Sequence, residues 1–347
     1  MPSEKQREMA FRGLLIVICM LAVVLLNRSE VLAADEDMLK ECILIEDDAV
    51  RLRCYDQKFG RPEKPVSAPD NISAAPVHEK GGNGSYLTRL WELDEENRHG
   101  KYALKTHRSN YILPFTYNTS PNVEQVREDD PDRDLKKEEV AYQLSVKVKL
   151  WQDVLGKDLD LWFAYTQRSF WQLYNTAESS PFRETDYEPE LLLNYRTDYR
   201  FAGFDVRYIN IGLNHQSNGK SEPLSRSWNR VVANAGFERD NLVLLLGAWY
   251  RIPESSSDDD NPDIDAYLGY GEAQLFYFLG GHRFGLKLRN NLRLGDNRGS
   301  LQVDWSFPLI HRISGYVQYF NGYGESLLDY SHSVNRIGFG FIVRDWD

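Results

Sequence analysis

The sequence predicts an all-β fold: a twelve-stranded antiparallel transmembrane β-barrel, preceded by a small cysteine-containing N-terminal segment and a linker. The 347-residue chain has a mean hydropathy of −0.53, yet 13% of its residues are aromatic. From about residue 108 onward, segments alternate between polar and apolar residues and are separated by Gly, Pro, Asn, Asp and Ser. A barrel with a polar lumen, a lipid-facing outer surface and aromatic girdles combines these features.

Residues 1–34 are typical of a secretory signal peptide. Basic residues come first, then an unbroken apolar run at residues 14–26, then the small residues Ala33 and Ala34 near the expected cleavage site. The run is shorter than the roughly 20 apolar residues of a membrane-spanning helix. A retained membrane anchor is the alternative.

A small exported segment, residues 35–59, and a linker, residues 60–85, are expected to follow. The segment carries Cys42 and Cys54, and the linker is rich in Pro and Gly. An even cysteine pair in an exported protein favours a local disulfide. A metal site is disfavoured because no further Cys or His ligand lies nearby.

The predicted barrel domain is residues 86–347. Its predicted strands have lengths that suit tilted membrane-spanning strands, and short links alternate with longer polar ones. A soluble lipocalin-like barrel or sandwich is the alternative, but twelve strands enclose more volume than apolar side chains fill. The predicted strands are residues 108–119, 139–153, 160–173, 187–199, 204–215, 226–238, 240–252, 266–279, 283–294, 299–309, 312–323 and 333–344.

The net charge of −11, from 41 Lys and Arg against 52 Asp and Glu, argues against a nucleic-acid partner. The sequence contains no nucleophile elbow, zinc-protease motif, P-loop or dinucleotide fingerprint. The enzyme classes that these motifs mark are therefore not indicated.

The fifth predicted strand carries a candidate catalytic pair. Ile209, Ile211 and Leu213 share one face, and His215 and Ser217 continue that face toward the end of the strand. If the apolar face meets lipid, the His-Ser pair does too. Two residues apart on one strand face, the imidazole of a His can reach the hydroxyl of a Ser. The imidazole can then act as a base and take the hydroxyl proton while the hydroxyl oxygen attacks a substrate.

Asn229 is the candidate third member of this site. A hairpin with a loop of about nine residues brings Asn229 beside His215, where an amide can fix the imidazole tautomer. Asparagine adds no charge to an apolar setting. The alternative is that all three are ordinary polar residues of a membrane-interface girdle.

The hairpin closely resembles the active-site hairpin of the bacterial outer membrane phospholipase A family. Further similar blocks occur at 178–189, 198–203 and 323–330, and the resemblance extends from about residue 86 to the end. It implies that Ser217 is the nucleophile, His215 the base and Asn229 its orienting residue, in an outer-membrane enzyme that hydrolyses phospholipids and lysophospholipids. The matching hairpin segments are Asn214-His215-Gln216-Ser217-Asn218-Gly219-Lys220-Ser221 and Ser225-Arg226-Ser227-Trp228-Asn229-Arg230.

The same resemblance implies calcium dependence and activity as a homodimer. By motif position, Ser225 and the backbone carbonyl of Lys220 would bind the catalytic Ca2+, and the partner chain would contribute Ser179. Glu222 and Asp260 match a second calcium site. Lys220 and Glu222 stand where the family usually has Arg and Asp.

Gln167 is expected near the dimer interface, as is Ser179, to which its strand leads. It shares a face with Phe163, Tyr165 and Trp171 on the presumed lipid side of the third strand. An amide that faces hydrocarbon is costly unless it finds a partner. The alternative is that Gln167 is an ordinary interface-belt residue.

Two other classes of outer-membrane protein compete with the enzyme. A porin or structural barrel would leave His215 and Ser217 as bystanders, and it would need an open polar bore. An outer-membrane protease would need acidic or His residues grouped on loops above the lumen, whereas the Ser-His pair points away from the lumen.

The cysteine pair gives a first testable prediction. Mass spectrometry of the exported protein without reductant should find a peptide that bridges Cys42 and Cys54, because both thiols reach an oxidising compartment. Two free thiols would contradict the expectation. Replacing both with Ser should leave hydrolysis nearly unchanged, because the linker separates the pair from the barrel.

Overall fold

The structure is a computed structural model that describes residues 84–154, 158–310 and 312–343, together with residues 45, 47, 50, 51 and 54. The chain divides into two units, residues 1–77 and 78–347. Within the described part, helices are too short or too polar to cross a membrane.

The first unit is described at only five positions. Val50, Arg51 and Cys54 are helical, and the backbone N–H of Val50 donates to the Asp47 carboxylate at 3.0 Å. Cys54 forms a disulfide bond. The predicted signal peptide, Cys42 and nearly all of the predicted linker lie outside the described residues, so those predictions stand as made.

The second unit is built mainly from antiparallel strands. Each strand of the barrel wall pairs with its neighbours in sequence, and β13 pairs with β2 to close the sheet. The strands are β1 Leu104–Thr106, β2 Tyr111–Asn118, β3 Glu138–Trp151, β4 Leu159–Trp171, β5 Phe182–Phe201, β6 Phe204–Ser217, β7 Ser227–Arg239, β8 Leu242–Ile252, β9 Gly271–Leu279, β10 His282–Asn290, β11 Gly299–Ile310, β12 Ile313–Gly322 and β13 Val334–Val343.

The thirteen strands form a twelve-stranded barrel, because β1 and β2 lie one after the other along the same edge of β3 and together count as one strand of the wall. Both pair with the same edge of β3: Thr106 lies opposite Val146, and Tyr111 lies opposite Gln143. The predicted twelve-stranded antiparallel barrel is confirmed. Short helices lie between the strands or before them: α1 Tyr86–Trp91, α2 Val123–Arg127, α3 Ile264–Leu268, and the 3₁₀ turns Glu95–Asn97 and Thr176–Glu178.

Four strand predictions were wrong at their ends, and one of them is the predicted strand 283–294, because β10 ends at Asn290. The predicted strand 108–119 is interrupted before Tyr111, and predicted strand 266–279 includes part of α3, since β9 begins at Gly271. A five-residue helix is too short to show a helical period in sequence. β5 begins at Phe182 instead of residue 187, and its charged first residues Arg183, Glu184 and Asp186 contact residues 327–329 of the loop between β12 and β13.

The links between strands differ at the two ends of the barrel. One end carries short turns such as 202–203, 240–241 and 280–281, and the other carries longer loops such as 218–226 and 253–270. Bacterial barrels place short turns in the periplasm and longer loops outside the cell. The end of β6 that carries His215 and Ser217 is the long-loop end.

The wall of the barrel is apolar outside and polar inside. On β6, the outward residues Ile209, Ile211 and Leu213 are 40%, 58% and 55% exposed, whereas Asn210 and Asn214 are 1% and 3% exposed. Successive side chains of a strand point to opposite faces, so this pattern fixes which face meets the interior.

The segment before the first strand fills one part of the interior. The Ser85 hydroxyl accepts a hydrogen bond from the backbone N–H of Thr88 and caps α1. Leu87 and Trp91 then pack against inward-facing residues, and the N–H of Leu87 donates to Glu238 at 2.7 Å. The buried cluster comprises Leu87, Trp91, Leu93, Trp162, Ala164, Leu192, Tyr208, Val232, Val243 and Phe276.

A network of buried ion pairs crosses the interior. Glu188 accepts from Arg108 at 2.6 Å and from Arg230 at 3.0 Å, and Arg108 also contacts Glu190 at 2.8 Å. The Nε2 atom of His107 lies 2.9 Å from Glu190. Each charged side chain of this network thus has a partner of opposite charge, which offsets the cost of its removal from water.

The outward face can be tested at the middle of β6. Ile211→Arg should lower the free energy of unfolding by about 2–4 kcal/mol, the cost of a cation on the lipid face near the bilayer midplane. Ile211→Val is the matched control and should cost no more than about 1.5 kcal/mol. Denaturant titration in lipid vesicles measures both, and equal stability of the two variants would refute the assignment of the face.

Candidate active site

His215 and Asn229 are direct neighbours on the outer face of the β6–β7 hairpin. They occupy paired positions on the two strands, and His215 Nδ1 lies 2.8 Å from Asn229 Oδ1. A carbonyl oxygen only accepts, so the neutral imidazole donates through Nδ1–H and keeps Nε2 free as a base. Both residues are half-buried.

Ser217 is the last residue of β6 and lies on the same face as His215. It pairs with Ser227 of β7 and with Tyr187 of β5, and it is half-buried. The strand therefore presents the hydroxyl two residues beyond the imidazole, toward the long loops. The sequence-based placement of His215, Ser217 and Asn229 on one outward face agrees with this geometry.

The residue before His215 and the residue after Asn229 hold the hairpin from inside the barrel. Asn214 and Arg230 are paired inward neighbours, and Arg230 donates to Asn214 Oδ1 at 2.5 Å. Both side chains also donate to Glu188, at 2.8 Å from Asn214 and 3.0 Å from Arg230. The inner network thus fixes the rung of the sheet next to the one that carries His215 and Asn229 outside.

Glu254 is a contact residue that sequence analysis missed. The amide nitrogen of Asn229 donates to Glu254 Oε1 at 2.7 Å. Asn229 pairs with Ile252, the last residue of β8, and Glu254 lies two residues beyond it. The two-residue turn at 240–241 fixes this register. The same turn could therefore have identified Glu254 from the sequence.

Asn218 organises the loop that follows the nucleophile candidate. It is 4% exposed, and its amide donates to Glu184 at 3.1 Å and to the Leu224 carbonyl at 2.8 Å. Its oxygen accepts from the backbone N–H groups of Lys220 and Arg226. These bonds hold loop 218–226 in a defined conformation.

The Lys220 side chain contacts the first residues of β5. Its ammonium group donates to the Arg183 carbonyl at 2.6 Å and lies 3.3 Å from Glu184. This arrangement anchors the residue by its side chain and leaves any role as a ligand to its backbone carbonyl. A Lys can therefore stand at this position without offering a metal ligand of its own.

Ser225, Asp260 and Glu222 come together at the rim of the barrel. The Ser225 hydroxyl donates to Asp260 Oδ2 at 2.5 Å. A hydrogen bond with Asp260 raises the pKa of Glu222, and burial and the nearby negative charge act in the same direction. These hard oxygen donors suit Ca2+. Among described residues, no group of three or more His, Cys, Asp or Glu side chains is arranged to hold a metal.

Ser179 lies on a different loop, 172–181. It is exposed, has a left-handed backbone conformation with φ of 58°, and follows the 3₁₀ turn Thr176–Glu178. The hydrogen bonds of the described residues do not connect it to Lys220 or Ser225. The structure therefore brings Ser225, Glu222 and Asp260 together, and Ser179 belongs to a separate loop.

Gln167 lies on the outer face of β4 in a short polar row. Its oxygen accepts from the Tyr165 hydroxyl at 3.3 Å, and its nitrogen donates to the Ser169 hydroxyl at 3.2 Å. Thr185 of β5 also donates to Ser169, at 3.0 Å. The amide is half-buried and has partners within its own chain, so a single chain can hold it on the outer face.

Comparisons with known proteins agree with this architecture. Residues 87–343 match the family model described as phospholipase A1. The phospholipase A1 of Klebsiella pneumoniae is 40% identical over 272 residues, which cover 78% of this chain and 92% of that protein.

Two solved structures are similar over the barrel. Outer membrane phospholipase A from Escherichia coli aligns with a TM-score of 0.69 and 37% identity, covering 76% of this chain and 98% of that one. The Salmonella typhi outer membrane phospholipase, a dimer with bound calcium, aligns with a TM-score of 0.68, 37% identity and the same coverage. This chain therefore belongs to the phospholipase A1 family of outer-membrane acyl ester hydrolases.

Proposed function

We propose that this outer-membrane enzyme hydrolyses acyl esters of phospholipids and lysophospholipids through a calcium-dependent Ser217-His215-Asn229 triad on its lipid-facing side. The observation that carries the proposal is the 2.8 Å contact between His215 Nδ1 and Asn229 Oδ1 beside Ser217, on the face that continues the exposed apolar residues of β6. Phospholipid esters lie at the membrane interface. An outward nucleophile near the barrel rim meets them there without extracting the lipid.

Catalysis follows from the roles of these three side chains. His215 Nε2 takes the proton of Ser217 as the hydroxyl oxygen attacks the ester carbonyl, and the resulting imidazolium gives that proton to the departing alcohol. The acyl group is then bonded to Ser217. Water attacks the acyl-enzyme with His215 again as the base, which releases the fatty acid and restores the serine. Asn229 holds the ring in the required tautomer throughout.

The oxygen atoms at the barrel rim support a calcium site. Ser225 and the Lys220 carbonyl would hold the ion together with Ser179 from a second copy of the chain. Calcium bound there would polarise the ester carbonyl and stabilise the developing oxyanion. Glu222 and Asp260 are proposed as a second site, because their carboxylate groups lie within hydrogen-bond reach of each other and offer the hard oxygen ligands that Ca2+ prefers.

Homodimer formation is proposed because one chain supplies too few fixed oxygens for tight calcium binding. Ser179 is exposed on its loop, where a second chain can reach it. Gln167 lies on the outer face of β4, the strand that leads to that loop. Its hydrogen bonds with Tyr165 and Ser169 could be replaced by hydrogen bonds to a second chain. If two chains complete the site, calcium must favour the dimer by linkage.

The interior gives no support to the porin alternative. The α1 cluster and the network around Glu188 cross the lumen, and a cavity of about 210 Å³ lies among Arg108, Glu188 and Arg230. A porin needs a continuous water-filled bore instead of buried ion pairs. The filled interior is compatible with an enzyme whose substrate never enters the barrel.

The nucleophile assignment is tested by Ser217→Ala. Hydrolysis of phospholipid in mixed micelles should fall to background, because no hydroxyl remains to form the acyl-enzyme. Asn229→Ala should lower kcat less, since water can partly replace an orienting amide. Ser227→Ala, which removes the paired hydroxyl of β7, is the matched control and should keep most of the activity. Near-normal turnover by Ser217→Ala would refute the assignment of Ser217 as the nucleophile. The change in gel mobility on heating must show that each variant is a folded barrel.

Calcium and dimer formation are tested together. Chelation should abolish hydrolysis and shift the cross-linked population toward monomer, and added calcium should reverse both effects. Gln167→Leu should raise the calcium concentration needed for half-maximal activity, because it weakens the contact between chains by about 1 kcal/mol. A fully active sample whose monomer fraction ignores calcium would contradict the coupling. If Gln167→Leu leaves the calcium concentration for half-maximal activity unchanged, Gln167 does not contribute to the contact between chains.

A further inference from the structure

Glu254 makes a charged contact with the outer edge of the candidate triad. It is half-buried just past β8, and its Oε1 atom accepts the amide hydrogen of Asn229 at 2.7 Å. Asn229 in turn contacts His215 at 2.8 Å. The four side chains of Glu254, Asn229, His215 and Ser217 thus follow one another across three neighbouring segments of the outer wall.

The direction of the Asn229 amide depends on this contact. The two ends of an asparagine amide are nearly equal in size, so packing alone does not decide which end faces a neighbour. An ionised carboxylate accepts hydrogen bonds and cannot donate them, so Glu254 requires the NH2 end. The carbonyl oxygen of Asn229 must then face His215.

We propose that Glu254 is a positioning residue that acts through Asn229: it orients the amide so that Oδ1 accepts from His215 Nδ1 and leaves Nε2 as the base. The inference rests on the proposed triad. A flipped amide would present NH2 to Nδ1 and favour the opposite tautomer, with the proton on the nitrogen that must accept the Ser217 proton. The carboxylate also polarises the amide, which strengthens its carbonyl oxygen as the acceptor for the imidazolium.

The location of Glu254 explains how a carboxylate can act on His215 although His215 lies on the lipid-facing wall. A carboxylate in contact with His215 within the wall would need to leave water at considerable cost. Glu254 lies beyond the end of β8, in loop 253–270, and Asn229 bridges it to the imidazole. The neutral amide occupies the wall, and the charge stays in the half-buried loop.

A double-mutant cycle tests the route through Asn229. The variants are Glu254→Ala, Asn229→Ala and the double variant, each assayed for kcat and KM on phospholipid in mixed micelles at saturating calcium. Glu254→Ala should lower kcat by about tenfold, as expected for loss of a hydrogen bond to a charged group, and should leave KM nearly unchanged. In the Asn229→Ala background, the same change should alter kcat by less than about twofold.

Two further variants separate charge, orientation and loop effects. Glu254→Gln still offers an oxygen to the Asn229 amide, so its kcat should lie between those of the wild type and Glu254→Ala. Asp258→Asn is the matched control: it removes an exposed carboxylate that contacts Ser255 in the same loop, and it should change kcat by less than about twofold. If Glu254→Ala does not fold, Glu254→Gln replaces it in the cycle.

The outcomes distinguish this inference from the proposed function. If Ser217→Ala is inactive but Glu254→Ala keeps the wild-type kcat, the triad stands and the role of Glu254 is wrong. The role is also wrong if Glu254→Ala raises KM alone, if it lowers kcat equally with and without Asn229, or if Asp258→Asn causes the same loss. If Ser217→Ala remains active, the proposed function itself fails.

Discussion

The register of β6 against β7 is the constraint on which the site depends. Asn214 faces Arg230 inside the barrel, and one position along each strand His215 faces Asn229 outside. Glu188 accepts hydrogen bonds from both inner residues. A slip of one residue would turn the outer side chains of the slipped strand into the lumen and separate the pair. The buried ion-pair network therefore holds together a site that it does not touch.

The outer wall of a membrane barrel is a costly place for polar side chains, and the positions used here reduce that cost. His215, Ser217 and Asn229 are uncharged or can be neutral, and they lie at the strand ends next to the long loops. Glu254, which contacts Asn229, and Asp260, which contacts Ser225, lie in the loop that follows β8. Burial of an unpaired charge among lipid chains is thereby avoided.

The alternation of side chains made much of this structure predictable. Parity placed Ile209, Ile211, Leu213, His215 and Ser217 on one face, and hairpin geometry brought Asn229 to His215. The interior filling was less accessible to sequence reasoning, because α1 is only six residues long and its burial depends on distant residues such as Trp162 and Tyr208. Glu254 was missed because it follows Pro253, outside the strand pattern, although the tight turn before β8 determines its neighbour. The loop contacts of Asn218 have no periodic signal at all.

The most direct measurement of the central claim is covalent labelling of Ser217, the proposed nucleophile. A long-chain alkyl fluorophosphonate should modify the folded wild-type protein once, and peptide mass spectrometry should place the adduct on Ser217. Labelling should be lost in a folded His215→Ala variant, since the hydroxyl then has no base. An active enzyme labelled at another serine, or labelling of Ser217 that does not depend on His215, would contradict the account.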